Sequence, residues 1–200
     1  MLALALVSPL GGCAFGARQA SLLYPPQAQT DAAPVGTAQT APAPAAATKA
    51  AVVVAAFTDA RKDKTQVGSV RNGFGMPTAQ IVTSDSLPQW VAGAVRTELA
   101  RGGYRVVDAG VPVNGPARTL TGEITNVWAD AYFSYNAQVE LAVNLRRDDR
   151  ELLARNYTGQ GSAGTNWGAT AAAYSQSLAL ALADAMRQLM ADIDKVLSAP

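Results

Sequence analysis

The chain has 200 residues, 16 basic and 15 acidic side chains and a net charge of +1, which argues against a nucleic-acid-binding protein with its usual excess of basic side chains on one face. It has no histidine and one cysteine, which removes the commonest general base and transition-metal ligand and any disulfide framework. Hydrophobic residues make up 49% of the chain, a figure inflated by alanine, and the length suits one domain with appendages.

The chain opens on the apolar run Met1-Leu2-Ala3-Leu4-Ala5-Leu6-Val7, followed by Pro9 and Leu10-Gly11-Gly12-Cys13. The run is too short to span a bilayer, which takes about 20 residues, and fits the apolar core of a secretory signal. Leu10 to Cys13 resembles the bacterial lipobox. The resemblance implies diacylglycerol on the Cys13 sulfur, cleavage before Cys13 and acylation of the new amino terminus. It makes residues 1–12 a signal peptide and Cys13 the lipidation site. No Lys or Arg precedes Arg18, so the charged start of the signal is missing: either the native start lies upstream or the chain is truncated at its start. Ala14, rather than Asp, follows Cys13, which under the sorting pattern of such lipoproteins implies the outer membrane.

Residues 13–49 are rich in Ala, Pro, Gln and Thr and lack any core-forming period. Such a stretch cannot offset its ordering entropy by burial, so it reads as a disordered linker whose ends average roughly 30–35 Å apart. Leu22-Leu23-Tyr24 is an apolar island within it, either incidental or a docking segment. Order is expected from about residue 50 to 200, as a single domain.

Val52 to Phe57 is a continuous apolar run, as in a strand covered on both faces. A charged loop, Thr58 to Lys64, follows. Short strands are predicted at Val67 to Val70 and Thr78 to Val82, around a Gly73-Phe74-Gly75-Met76-Pro77 turn region. Ser84 or Ser86 caps the first helix, with Gln89 completing a capping box to Ser86. Leu87, Trp90, Val91, Val95 and Leu99 form its buried face, and Gly102-Gly103 ends it. Tyr104 to Val107 is a short strand. Thr119 to Trp128 has strand composition. In Phe133 to Arg146 apolar and polar residues alternate with period two, one face on a core and one in water. Asp148-Asp149-Arg150 makes a turn, and Glu151 to Gly159 returns as an antiparallel strand. A helix from about Asn166 to Leu197 carries the stripe Tyr174, Leu178, Leu182, Met186, Leu189, Ile193 and Val196. The expected class is α+β: an antiparallel or mixed sheet with two helices mainly on one face, behind a disordered tether.

The folded part resembles the YajG-like family of bacterial lipoproteins. The match runs through Phe57-Thr58-Asp59-Ala60-Arg61, Val67-Gly68, Trp90-Val91, Gly103-Tyr104-Arg105-Val106, Leu120-Thr121-Gly122-Glu123-Ile124, Val127-Trp128 and Arg155-Asn156-Tyr157-Thr158-Gly159. It implies an outer-membrane lipoprotein whose domain faces the periplasm, and it supplies no catalytic residues.

No nucleophile–base pair is visible, and no cofactor or metal is expected. Asp59 and Arg61, two apart at a strand end, form either a local ion pair or a contact for a partner or ligand. Trp128, with Tyr132, Phe133 and Tyr135, is the one aromatic cluster suited to binding. Gly68 to Gly75 lacks the Lys-Ser/Thr ending of a phosphate loop. Asp148, Asp149 and Glu151 do not match a calcium loop. The expected function is a lipid-anchored, non-enzymatic binding or accessory module in envelope assembly, with an envelope protein as partner and no nucleic acid. The alternative is an oligomeric secretion channel in which 133–146 enters the membrane as a β-hairpin; an envelope hydrolase ranks below both. Oligomeric state is left open.

Overall fold

The computed structural model describes residues 16–24, 49–113, 118–165 and 170–198. Cys13, the signal segment and residues 25–48 lie outside them. The described strands are β1 (Gly16–Gln19), β2 (Ala51–Asp59), β3 (Gln66–Arg71), β4 (Pro77–Val82), β5 (Arg105–Asp108), β6 (Arg118–Ala131), β7 (Ser134–Arg147) and β8 (Arg150–Thr165). The helices are α1 (Leu87–Arg101) and α2 (Ala171–Ser198). The class is α+β, with a mixed eight-stranded sheet.

β6 is the spine. One edge pairs antiparallel with β7 along nearly its whole length, and β7 pairs antiparallel with β8. The other edge is shared lengthwise by two parallel strands, β2 along Thr119 to Ile124 and β3 along Ala129 to Ala131. β5 lies outside β2, and β4 then β1 lie outside β3. β2 and β3 thus behave as one strand interrupted by the loop 60–65. Gly68 permits this fit, since a Cβ there would lie 2.0 Å from the Ala129 carbonyl oxygen.

Both helices pack on one face, as the alternation predicts. Tyr135, Ala137, Val139, Leu141, Val143 and Leu145 are all buried, and α2 covers β7 and β8. The row that a membrane hairpin would turn toward lipid is therefore consumed by α2. The long helix reaches close because both surfaces are small. A Cβ on Gly159 would lie 2.0 Å from the Ala181 carbonyl oxygen, and one on Gly161 2.3 Å from that of Ser177. The predicted stripes of α1 and α2 are buried, apart from a half-buried Val196. Ser86 caps α1, its hydroxyl accepting from Gln89 N at 3.4 Å.

Several boundaries differ from the sequence reading, three of them with consequences for the fold. α2 begins at Ala171, after Thr170 accepts from Ala173 N; residues 166–169, the expected start, lie outside the described residues. β8 runs on to Thr165, because Gly159 and Gly161 are places where the helix approaches rather than strand ends.

The third difference changes the organisation. Residues 16–24, read as tether, are built into the domain. β1 pairs parallel with β4, and Ala20 is 1% exposed. Ser21 N donates to Ser175 Oγ at 3.0 Å and Leu22 N to Asp85 Oδ2 at 2.8 Å. Trp90 Nε1 donates to the Leu23 carbonyl at 2.8 Å, and the Tyr24 hydroxyl to Glu98 Oε1 at 2.7 Å. The island Leu22-Leu23-Tyr24 is a docking segment, and its dock is the protein's own α1. The chain leaves the described residues at Tyr24 beside Glu98 and returns at Lys49, whose N–H donates to the Gly103 carbonyl at 3.0 Å. Residues 25–48 therefore join two points near the same end of α1.

Candidate functional site

The sheet has two unlike ends. At one, β7 turns into β8 through Asp148 and Asp149, with Asp148 at φ 52°, a left-handed conformation that Asp tolerates. The other end gathers the β3–β4 turn, the β6–β7 turn and the start of β1. Its last cross-strand row is Gly16, Ala79, Val70 and Ala131.

Polar groups brace this second end from within. The Asn72 carboxamide oxygen accepts from Phe74 N and Met76 N, each at 3.0 Å. Asn72 N donates to the Met76 carbonyl and Gly75 N to the Asn72 carbonyl. Gly75 takes φ 81°, which closes the turn. Arg71 Nη1 donates to the Gly75 carbonyl, while its Nε donates to Asp130 Oδ1 at 2.8 Å. The Tyr132 hydroxyl donates to the Gly73 carbonyl at 3.0 Å and ties the two turns together. What this frame presents is apolar. Phe74 is 89% exposed, Phe133 69% and Met76 56%. Tyr132 and Phe133 lie against each other, ring centroids 3.9 Å apart.

Next to this end, on the face away from the helices, Trp128 stands half-buried between two shallow grooves. One, of about 470 Å³, is lined by Asp130, Asn136, Gln138, Gln160 and Ser162. The other is lined by Ser69, Arg71, Thr78 and Gln80, with Ala17 of β1. An indole between amide and hydroxyl side chains can stack on a planar or ring-shaped group while neighbours hydrogen-bond its edges.

The aromatic residues grouped in the sequence thus separate into three settings. Trp128 faces the open groove, Tyr132 sits in the turn, and Tyr135 is buried on the helix side. The Tyr135 ring meets Tyr174 edge-on at 5.5 Å, and its hydroxyl accepts from Thr170 N at 3.3 Å. Burial, then the neighbouring Tyr135, pushes the Tyr174 hydroxyl up to about 12. The strand's own alternation placed Tyr135 in the inward row. In the sequence Phe74 and Met76 read only as part of a turn region; two large apolar side chains inside an Asn/Gly turn were the available signal.

Asp59 and Arg61 lie apart from this region, where β2 gives way to β3. Arg61 is only 9% exposed. Its Nε and Nη2 donate to the two Asp59 oxygens, each at 3.0 Å, Nη1 to the Gln66 carbonyl at 2.8 Å, and Nη2 also to the Lys64 carbonyl. Lys64 Nζ donates to the Asp59 carbonyl. Burial alone would raise the Asp59 carboxyl, but hydrogen bonds and charge from Arg61 hold it below its usual range. The geometry is that of a clamp closing the loop 60–65. Among the described residues no group of three or more His, Cys, Asp or Glu is placed to hold a metal ion. No described helix is long and apolar enough to cross a membrane.

Residues 38–194 match the model of a protein family described as "uncharacterized lipoprotein". No curated protein matches the chain in sequence. Among solved structures, a Xanthomonas campestris protein of a family of unknown function aligns with 74% of this chain and 86% of its own, at 18% identity and a TM-score of 0.53. A hypothetical protein of Chlamydia trachomatis aligns with 76% and 99%, at 11% identity and a TM-score of 0.51. These likenesses show a shared fold.

Proposed function

The chain belongs to the uncharacterized lipoprotein family, in agreement with its resemblance to YajG-like lipoproteins, and from that premise we propose a periplasm-facing binding module anchored in the outer membrane through acyl chains on Cys13. Two or three acyl chains, at about 0.8 kcal/mol per buried methylene, anchor stably where one chain binds only marginally. The module acts without catalysis as an accessory to envelope assembly, with an envelope protein as its partner. The observation that carries the binding role is the sheet face that no described element covers, where Trp128 rises between two polar grooves beside the last row of the sheet. Asp59 and Arg61 support that role as a clamp closing the loop between β2 and β3 at Gln66, where β3 starts toward Ser69 and Arg71 of the second groove.

The docking of residues 16–24 sets the reach of this module. Three peptide links, through Ala14 and Phe15, join Cys13 to Gly16, a span of at most about 11 Å. A partner must therefore come to the membrane. The test is photo-crosslinking in cells from a reactive residue at position 138, in the groove. One dominant envelope-protein adduct, lost with Trp128→Ala, supports the reading. Absence of any dominant adduct sinks the partner. Acyl mass on Cys13 and loss of membrane fractionation in Cys13→Ala test the anchor separately.

A further inference from the structure

Gly16 opens β1 in the last row of the sheet, level with Ala79, Val70 and Ala131. The strand runs away from that row, so the chain enters the fold at the end bearing Phe74, Met76 and Phe133. Only Ala14 and Phe15 separate Gly16 from Cys13. We infer that this end of the domain sits on the lipid bilayer, with Phe74, Met76 and Phe133 in its interfacial layer; the inference rests on the reading of Cys13 as the acylated residue.

Three features suit the surface to lipid. Exposed aromatic side chains beside a methionine are apolar bodies of the kind that settle at a membrane interface. The turns below them already hydrogen-bond Phe74 N, Gly75 N, Met76 N and the Gly73 and Gly75 carbonyls, so entering a drier medium strands few backbone groups. The cation beside them, Arg71, is paired with Asp130. Apolar contact therefore dominates, and docking should be indifferent to the fraction of anionic lipid. An acyl anchor within about 11 Å of Gly16 makes the contact intramolecular, so weak insertion of each side chain is enough to hold the orientation.

The test uses the full chain in phosphatidylethanolamine–phosphatidylglycerol vesicles, carrying an environment-sensitive dye at Phe133→Cys, at Phe74→Cys, or at Asp149→Cys on the opposite end. Mass spectrometry reads Cys13 acylation in the same samples. The expected result is severalfold brighter, blue-shifted emission at positions 133 and 74, quenched by spin-labelled lipid tails, and an aqueous dye at 149. An acylated chain whose dyes at 133 and 74 remain aqueous overturns the inference and leaves the anchor intact. If Cys13 carries no acyl mass, the anchor reading fails, and the same labels in a Cys13→Ala chain decide the contact. Lipid quenching there keeps it; aqueous dyes overturn it. Shielding that needs no vesicles and grows with protein concentration assigns the surface to a second copy and overturns it too. Both phenylalanines are largely exposed, so either replacement leaves the fold intact.

Discussion

Removing the Asp59 carboxylate should be among the costliest single changes in this domain. Its side chain is 12% exposed and that of Arg61 7%, so the pair is not screened as a surface pair would be. Asp59→Ala deletes both acceptors of the guanidinium fork and the acceptor of the Arg61 N–H, at 3.0, 3.0 and 3.1 Å. Arg61 is then left charged, buried and held only by the Lys64 and Gln66 carbonyls. Breaking a buried pair in this way costs about 3–5 kcal/mol. At about 2–4 °C per kcal/mol for a domain of this size, the melting temperature should fall by roughly 6–20 °C. Urea unfolding followed by circular dichroism reads the same loss as a lower midpoint at unchanged slope. Asp59→Ala with Arg61→Met should recover part of it, since no stranded charge remains. A loss below about 1 kcal/mol for Asp59→Ala would mean an ordinary exposed pair and would refute the clamp. The pH dependence has a definite sign. The folded carboxyl lies below its unfolded value of about 3.9, so the stabilisation is fully present above that value. It disappears as pH falls through the folded value. The stability gap between the wild type and Asp59→Asn should therefore hold at neutral pH and close in acid.

Gly161→Ala should cost about 1–3 kcal/mol, read by thermal melting, because its Cβ would meet the Ser177 carbonyl and force α2 off the sheet; Gly73→Ala, with open space around it, should cost far less. A chain beginning at residue 49 should be destabilised by about 3 kcal/mol in urea. It loses the hydrogen bonds of Trp90 to Leu23 and Tyr24 to Glu98, together with the packing of Leu22 and Tyr24. Unchanged stability would mean that residues 16–24 only rest on the surface. Tyr157→Phe should cost about 1 kcal/mol, since its hydroxyl donates to Asp192 Oδ2 at 2.9 Å; a neutral result in the same melt would assign that bond no net worth.

Most of the fold was legible because it depends on local periodicity. The alternation from Tyr135 to Leu145, the stripe from Tyr174 to Ile193 and the Ser86 cap are short-range patterns, and short-range sterics and burial enforce them. The alternation even held the correction for Tyr135. Two things were illegible for one physical reason. A strand as short as Gly16–Gln19 has no period long enough to detect, and its stability comes from β4, some sixty residues away. Likewise Phe74 and Phe133 lie in separate turns that only the pairing of β3 with β6 brings together. The sequence by itself determined the α+β class and the helix faces, and it carries the proposal of Cys13 as the point of attachment. Tertiary structure decided which turns lie beside the start of β1, because long-range pairing, not local pattern, places Gly16 beside the apolar turns.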